Sequence, residues 1–314
     1  MIDADELEIF RDAVGRAVAS HTGSDLDAAL GVLGWSDALA LDERAAVGTL
    51  FEAQGAACAT SGALSLVIAS ALGVDSDGAA ALLPLPPRSE APATNDAAEG
   101  LVATAPDPGG RLLLVSERGG VAHVTTVSPT DLDTAPRHGL DPAVVAVSLG
   151  LAGPDLTWDP AAGTWADAVA AARRALAHEQ VGAMRTMLAL ARDHALTRIQ
   201  FGQPISGFQA VRHHLAEALV AIEAAESALE GAWIDGSPFA SSVAKAVAGT
   251  SAQVVRRKAQ QVLAGIGFTT EHDLHRFVRR SLLLDALFGD AITLTDEIGA
   301  ELIRAGRLPC PIPL

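Results

Sequence analysis

Apolar residues along the chain recur first at helical spacing, then in short β-branched runs, then at helical spacing again. Leu7, Phe10, Val14 and Val18 fall three or four apart and mark one face of an N-terminal helix. Asp42 is placed to cap a helix beginning at Glu43, and Leu64–Leu72 is a more uniformly apolar third segment. Residues 3–87 are therefore expected to be helical. The stretch LLPLPPRSEAPATNDAAEG (82–100) ends that pattern, because its four prolines remove backbone donors, and it reads as a boundary or linker. Between 101 and about 160, the runs LVATAP, RLLLVSE, VAHVTTVS and AVVAVSLGLAG alternate with Pro, Gly and Asp and predict short strands.

From Trp165 onward the helical period returns. It predicts helices over Ala168–Leu196, Phe208–Ile234, Ser241–Ala264, Leu274–Phe288 and Ile292–Ala305, followed by a tail, GRLPCPIPL, that cannot be helical. The fold class is thus α+β, mostly α. The expected parts are an N-terminal helical domain (1–90), a small β-domain (91–160) and a C-terminal antiparallel helical bundle (161–314). About 60 residues is near the lower limit for an independent β-module, so that part is expected to lean on the helices for its core.

Composition narrows the function. The chain has 314 residues, 49% of them hydrophobic, and a formal charge of −16. That field repels polyanions, which argues against nucleic-acid binding and against docking on anionic membranes. Cys58 and Cys310 match no metal or redox spacing, as in a protein of the reducing cytoplasm. The acidic, amphipathic start MIDADELEIFRDAVG is unlike a signal peptide, and no apolar run is long enough to predict a membrane span. Lysine occurs only at 245 and 258 while Ala and Arg abound, a bias expected of a GC-rich bacterial genome.

Common catalytic patterns are missing. GIGF at 265–268 follows a helix where a dinucleotide fingerprint needs a strand, and there is no phosphate-binding P-loop or nucleophile elbow. His213 and His214 are adjacent and face different sides of a helix. His272 and His275 have a spacing compatible with metal, but without a third ligand a capping pair is the simpler reading, and no metal is expected. What remains are two turns of similar chemistry, each ending a long helix with Gly and Phe: RIQFGQPISGFQ at 198–209 and QQVLAGIGFTTEHDLHRFVRR at 260–280. As plain loop chemistry, Arg198 is a helix C-cap, Phe201 core, and Gly265 a glycine just past a helix end.

These turns resemble the acyl-CoA dehydrogenase family. Arg198-x-Gln200-Phe201-Gly202-x-Pro204-Ile205, continuing to Phe208-Gln209, is similar to its R-x-Q-F-G-x-P-I…F-Q signature. Gln261 through His272 resembles its Q-x-x-G-G-x-G-F/Y-T-x-E segment, with Ala264 replacing the first glycine. The resemblance implies the family's helical, β, helical fold and an FAD bound mainly by a neighbouring subunit. By position it assigns Arg198 to the FAD pyrophosphate, where a planar fork binds better than an ammonium. Gln200 and Gln209 fall toward the adenosine side, Phe201 forms an apolar wall, and Gln261 and the backbone at Gly265 lie by the ADP moiety.

The same resemblance implies an acyl-CoA substrate, an electron-transfer flavoprotein as acceptor, and a carboxylate base that takes the α-proton. Here the two positions where the family places that base hold Phe288 and Ala172, so no catalytic residue is assigned. The β-domain is also about half the family's length and lacks the family's flavin-holding loop, with only TAPDPGGR where that loop would start. The closest pattern is the reduced subunit of actinobacterial α2β2 acyl-CoA dehydrogenases. In these FAD lies only at the interface with a paralogous subunit, and those described act on steroid-derived CoA thioesters. The chain is then expected to be active only with its partner. Two alternatives stay open: a homo-oligomeric enzyme with a displaced base such as Asp285 or Glu179, and a flavin-free interaction protein on the same fold. Glu179, Asp285 and Asp290 otherwise read as solvated helix residues.

Overall fold

The computed structural model describes residues 4–94, 97–103, 110–128, 145–150, 157–306 and 308. The chain packs as two compact units, the first within Met1–Leu50, Ala59–Ala175 and Ala286–Gly289, the second within Phe51–Cys58, Leu176–Asp285 and Asp290–Leu314. The tail beyond Leu308, Cys310 within it, and most of TAPDPGGR lie outside the described residues.

The first unit begins with α1 (Ala4–Ser20), α2 (Ser24–Val32), α3 (Trp35–Leu41), the start of α4 (Glu43–Ala57) and α5 (Ala63–Leu72). Val14, Leu26, Leu50 and Ile68 are fully buried, and α5 stops at Gly73, whose φ of 66° suits a glycine at a helix end. The chain then leaves the helical state earlier than expected from 3–87. Ala80–Ala81 forms β1, which pairs in parallel with β3 (Leu112–Arg118). β3 turns through Gly119 and Gly120, both at positive φ, into the antiparallel β4 (Val121–Val127). β6 (Asp159–Pro160) adds to β4, and β2 (Ala97–Val102) pairs antiparallel with β5 (Val145–Gly150).

The proline-rich stretch expected as a linker is packed structure. Leu82, Leu83 and Ala93 are buried, Leu83 exchanges backbone hydrogen bonds with Leu101, and β2 already begins at Ala97. Proline has no N–H to satisfy, so the segment can lend Leu82 and Ala93 to the sheet core with Ala98, Val102, Leu112 and Leu114.

The second unit is the helical bundle. It takes the end of α4, most of α6 (Trp165–Thr197), then α7 (Gln209–Asp235), α8 (Pro238–Leu263), α9 (Leu274–Ala286) and α10 (Ala291–Ala305). These bounds follow the apolar periodicity within a few residues. α7 and α8 form an antiparallel pair about Gly236 and Ser237; Ser237 accepts from the Ala240 N–H, with Pro238 in the first turn. Asp290 caps α10 by accepting from Ile292 and Thr293. α4 crosses α6 at two glycines: a Cβ on Gly55 would lie 1.9 Å from the Glu179 carbonyl, and one on Gly182 2.0 Å from that of Glu52.

A polar chain runs beside this crossing. The Trp233 indole N–H donates to His178 Nε2 at 2.9 Å, and because indole only donates, His178 carries its proton on Nδ1 and offers it to Glu52 at 2.9 Å. Arg185 holds the other Glu52 oxygen at 2.6 Å and reaches Glu226 at 2.7 Å. Burial pushes Glu52 up, but the hydrogen bond from His178 and the Arg185 charge outweigh it, leaving Glu52 below its ordinary value near 4.5. A carboxyl lowered by folding stabilises fully above its unfolded value, and that contribution is lost as pH falls through the folded value. Glu52→Gln is therefore expected to flatten the acid side of the stability curve below about pH 4.5, read by circular dichroism in denaturant. An unchanged acid slope would contradict this.

Candidate functional site

The turn after α6 is a tight hairpin. The Arg198 N–H closes the helix on the His194 carbonyl at 2.8 Å, then β7 (Ile199–Gln200) pairs with β8 (Gln203–Pro204). The two residues between them, Phe201 and Gly202, have φ of 52° and 82°. Positive φ at both central positions is the geometry that turns a right-twisted hairpin, and Phe accepts it at a cost that Asn or Gly would avoid. The hairpin holds Phe201 at its tip, 92% exposed, with its ring edge-on to Phe208 at 6.1 Å. The core reading of Phe201 is thereby overturned.

The neighbouring polar groups are exposed as well. Arg198 uses its backbone to receive the Ile205 N–H and cap α6, while no carboxylate among the described residues pairs with its guanidinium. Gln200 is exposed and its amide rests on the Ile199 carbonyl at 2.7 Å. Gln209 opens α7 on the surface.

The second turn ends α8. Gln261 is exposed in the last turn, and Ala264 ends the helix at φ 51°, ψ −134°. That conformation is nearly confined to glycine, so the strained position is Ala264, not Gly265. Gly265 has no positive φ, and a Cβ there would meet nothing within 4 Å, so its surface opens outward. Gln260 steadies the turn by donating to the Gly267 carbonyl at 3.0 Å, and Phe268 is 76% exposed. Ala264→Gly is expected to stabilise the chain by about 1 kcal/mol through relief of this strain, measured as a rise in the denaturation midpoint. A fall would contradict it.

Because α7 and α8 are antiparallel, the start of one and the end of the other lie together; Lys258 on α8 pairs with Glu217 on α7 there. All six motif residues thus stand exposed at one end of the bundle. His194 is pushed down by burial, then by the charges of His272 and Arg198. His272 receives the Leu274 N–H and His275 bonds the His272 carbonyl, so both serve the start of α9.

The carboxylates and the base positions have structural roles. Phe288 is fully buried at φ 56°, its ring 6.3 Å from Trp165 and its carbonyl accepting from Arg173 at 3.0 Å. Ala172 is also fully buried. Glu179 is 2% exposed and takes Arg280 Nε at 2.6 Å, so it is a buried ion-pair member and not a solvated residue. Asp285 receives the Ala291 N–H at 3.2 Å, and Asp290 is a cap. Nothing in the sequence pattern pointed to the Glu179–Arg280 pair or to fully buried Lys245, which donates to the Asp285 carbonyl.

The helical bundle that presents these two turns at one end is the part of the chain that a family model matches. Residues 165–303 match the family model described as "Acyl-CoA dehydrogenase, C-terminal domain". The chain is 35% identical over 106 residues to the acyl-CoA dehydrogenase IpdE2 of Mycobacterium tuberculosis, a match spanning 34% of this chain and 33% of that protein. The chain thus spans about a third of the length of this curated relative. In fold, it is similar over 96% of its length to 98% of a chain of the Tcur3481–Tcur3483 steroid ACAD (G363A variant), with TM-score 0.77 and 22% identity. It is likewise similar to a chain of the ChsE4–ChsE5 complex of M. tuberculosis, with TM-score 0.70 and 17% identity over 96% of this chain and 89% of that one.

Proposed function

We propose that this chain is the reduced subunit of a hetero-oligomeric, FAD-dependent acyl-CoA dehydrogenase, completing an FAD site held mainly by a paralogous subunit. The observation that carries this is the contrast between its two sets of residues. The cofactor-type residues Arg198, Gln200, Phe201, Gln209, Gln261 and Gly265 are exposed together, whereas the base positions are buried Phe288 and Ala172. The surface fits FAD. Arg198 has a fork for the pyrophosphate that no carboxylate among the described residues holds, Gln200 and Gln209 offer neutral donors and acceptors for the adenosine side, Gln261 approaches the ADP moiety, and Phe201 supplies an apolar wall. Gly265 leaves room for the ADP to approach the backbone.

FAD, when bound, supplies the acceptor for the hydride from the acyl β-carbon. The partner supplies the carboxylate that takes the α-proton, since Phe288 and Ala172 cannot. Substrate is an acyl-CoA thioester, with bulky steroid-derived thioesters the proposed class, and electron-transfer flavoprotein is the acceptor in the cytoplasm. No helix among the described residues is long and apolar enough to cross a membrane. The division into a helical part (1–90), a β-part (91–160) and a bundle (161–314) belongs to the same proposal. The reading is tested by incubating the purified chain alone with FAD and an acyl-CoA. No retained flavin and no turnover are expected; stoichiometric flavin with turnover would overturn it.

A further inference from the structure

We propose that the first unit holds a separate binding site, for an uncharged, largely apolar small molecule carrying one carbonyl or ether oxygen. A cavity of about 250 Å³ lies among α2, α3, α5 and β1, with none of the motif residues in its wall. Leu30, Trp35, Ala63, Ser65, Leu66 and Ala79 line it. All but Leu66 are buried, and the Trp35 indole N–H is spent on the Ala46 carbonyl, so the ring offers only apolar surface. An apolar cavity of ~150 Å³ accepts benzene, so this one has room for about ten heavy atoms.

The chain leaves this space open where it has the means to fill it. A Cβ on Gly31 would meet nothing within 4 Å, and Gly31 sits in α2, where a glycine weakens the helix. Ser65 gives the ligand class. It is 6% exposed, its oxygen receives the Ala81 N–H at 2.9 Å, and its own O–H has no acceptor among the described residues. That donor is suited to a carbonyl or ether oxygen. Charge is balanced at the site. Asp27 caps α5 by receiving the Gly62 N–H at 2.7 Å, which neutralises the helix end, and Arg111 pairs with Asp77 and bonds Thr126. An anion meets Asp27 and a cation meets Arg111, so a neutral molecule is favoured.

The full-length chain, titrated with acetophenone and separately with ethylbenzene, tests this through the NMR methyl signals of Leu30 and Leu66. Acetophenone is expected to shift both with a dissociation constant on the order of 0.1–1 mM. It should bind about tenfold tighter than ethylbenzene, which has the same carbon skeleton and lacks the oxygen. Gly31→Leu is expected to abolish binding without lowering the melting temperature. Absent shifts, or equal binding by the Gly31→Leu variant, would overturn the site. Equal affinity for the two probes would overturn the ligand class.

Discussion

Replacing Arg198 by alanine is expected to weaken FAD retention by the assembled complex about 10- to 100-fold, the equivalent of the roughly 1.5–3 kcal/mol carried by a charge-assisted hydrogen-bonded pair. The guanidinium is exposed and unpaired by any carboxylate among the described residues, so the chain's own stability should stay within about 0.5 kcal/mol. The backbone duties of Arg198, capping α6 and receiving Ile205, survive the substitution. Arg198→Lys should recover only part of the loss, because an ammonium keeps the charge and loses the planar fork. Titration of the deflavinated complex with FAD measures both affinities, and chemical denaturation of the chain measures the stability. Unchanged affinity in Arg198→Ala would mean that the hairpin faces away from the cofactor.

The largest stability effect is expected at the buried pair Glu179–Arg280. Their side chains are 3% and 7% exposed, so removing one partner breaks an ion pair that water hardly reaches. Glu179→Ala or Arg280→Ala should cost about 3–5 kcal/mol. That corresponds to a melting temperature lower by about 10 °C in a unit of this size. The paired replacement Glu179→Leu with Arg280→Met should restore most of the loss, since it removes both desolvated charges. This double variant also separates structure from chemistry. If it folds and its complex still oxidises acyl-CoA, Glu179 is not a displaced base; if it folds and turnover is lost, the homo-oligomeric alternative gains its catalytic residue.

Much of this architecture was legible because the helices bury one face in an alanine-rich bundle. The apolar period of 209–235 or 238–263 reports that face directly, and Gly236 and Pro238 punctuate it. The two motif turns were legible as unusual chemistry in places that needed only a glycine. Their exposure was not. Phe201 looks like a core residue until the positive φ of a two-residue hairpin turns it outward, and the substitution of Ala264 shows its strain only once the backbone is known.

Pairings remote along the chain were also hidden. Glu179 reads as a solvated helix residue because Arg280 lies 101 positions away, and His178 gives no hint of Glu52, 126 positions distant. The stretch 82–100 was misread because prolines signal the absence of helix, which a buried sheet edge satisfies as well as a linker does. β1 and β6, two residues each, are too short to carry any period.

The central claim is that the chain brings half of an FAD site to a partner. Co-expression with a paralogous acyl-CoA dehydrogenase subunit, followed by the flavin absorbance and native mass of the purified complex, tests it most directly. A mass of two copies of each chain, a single FAD for each pair, and no flavin on this chain by itself is the expected result. A homo-oligomer of this chain carrying one FAD per subunit would contradict it.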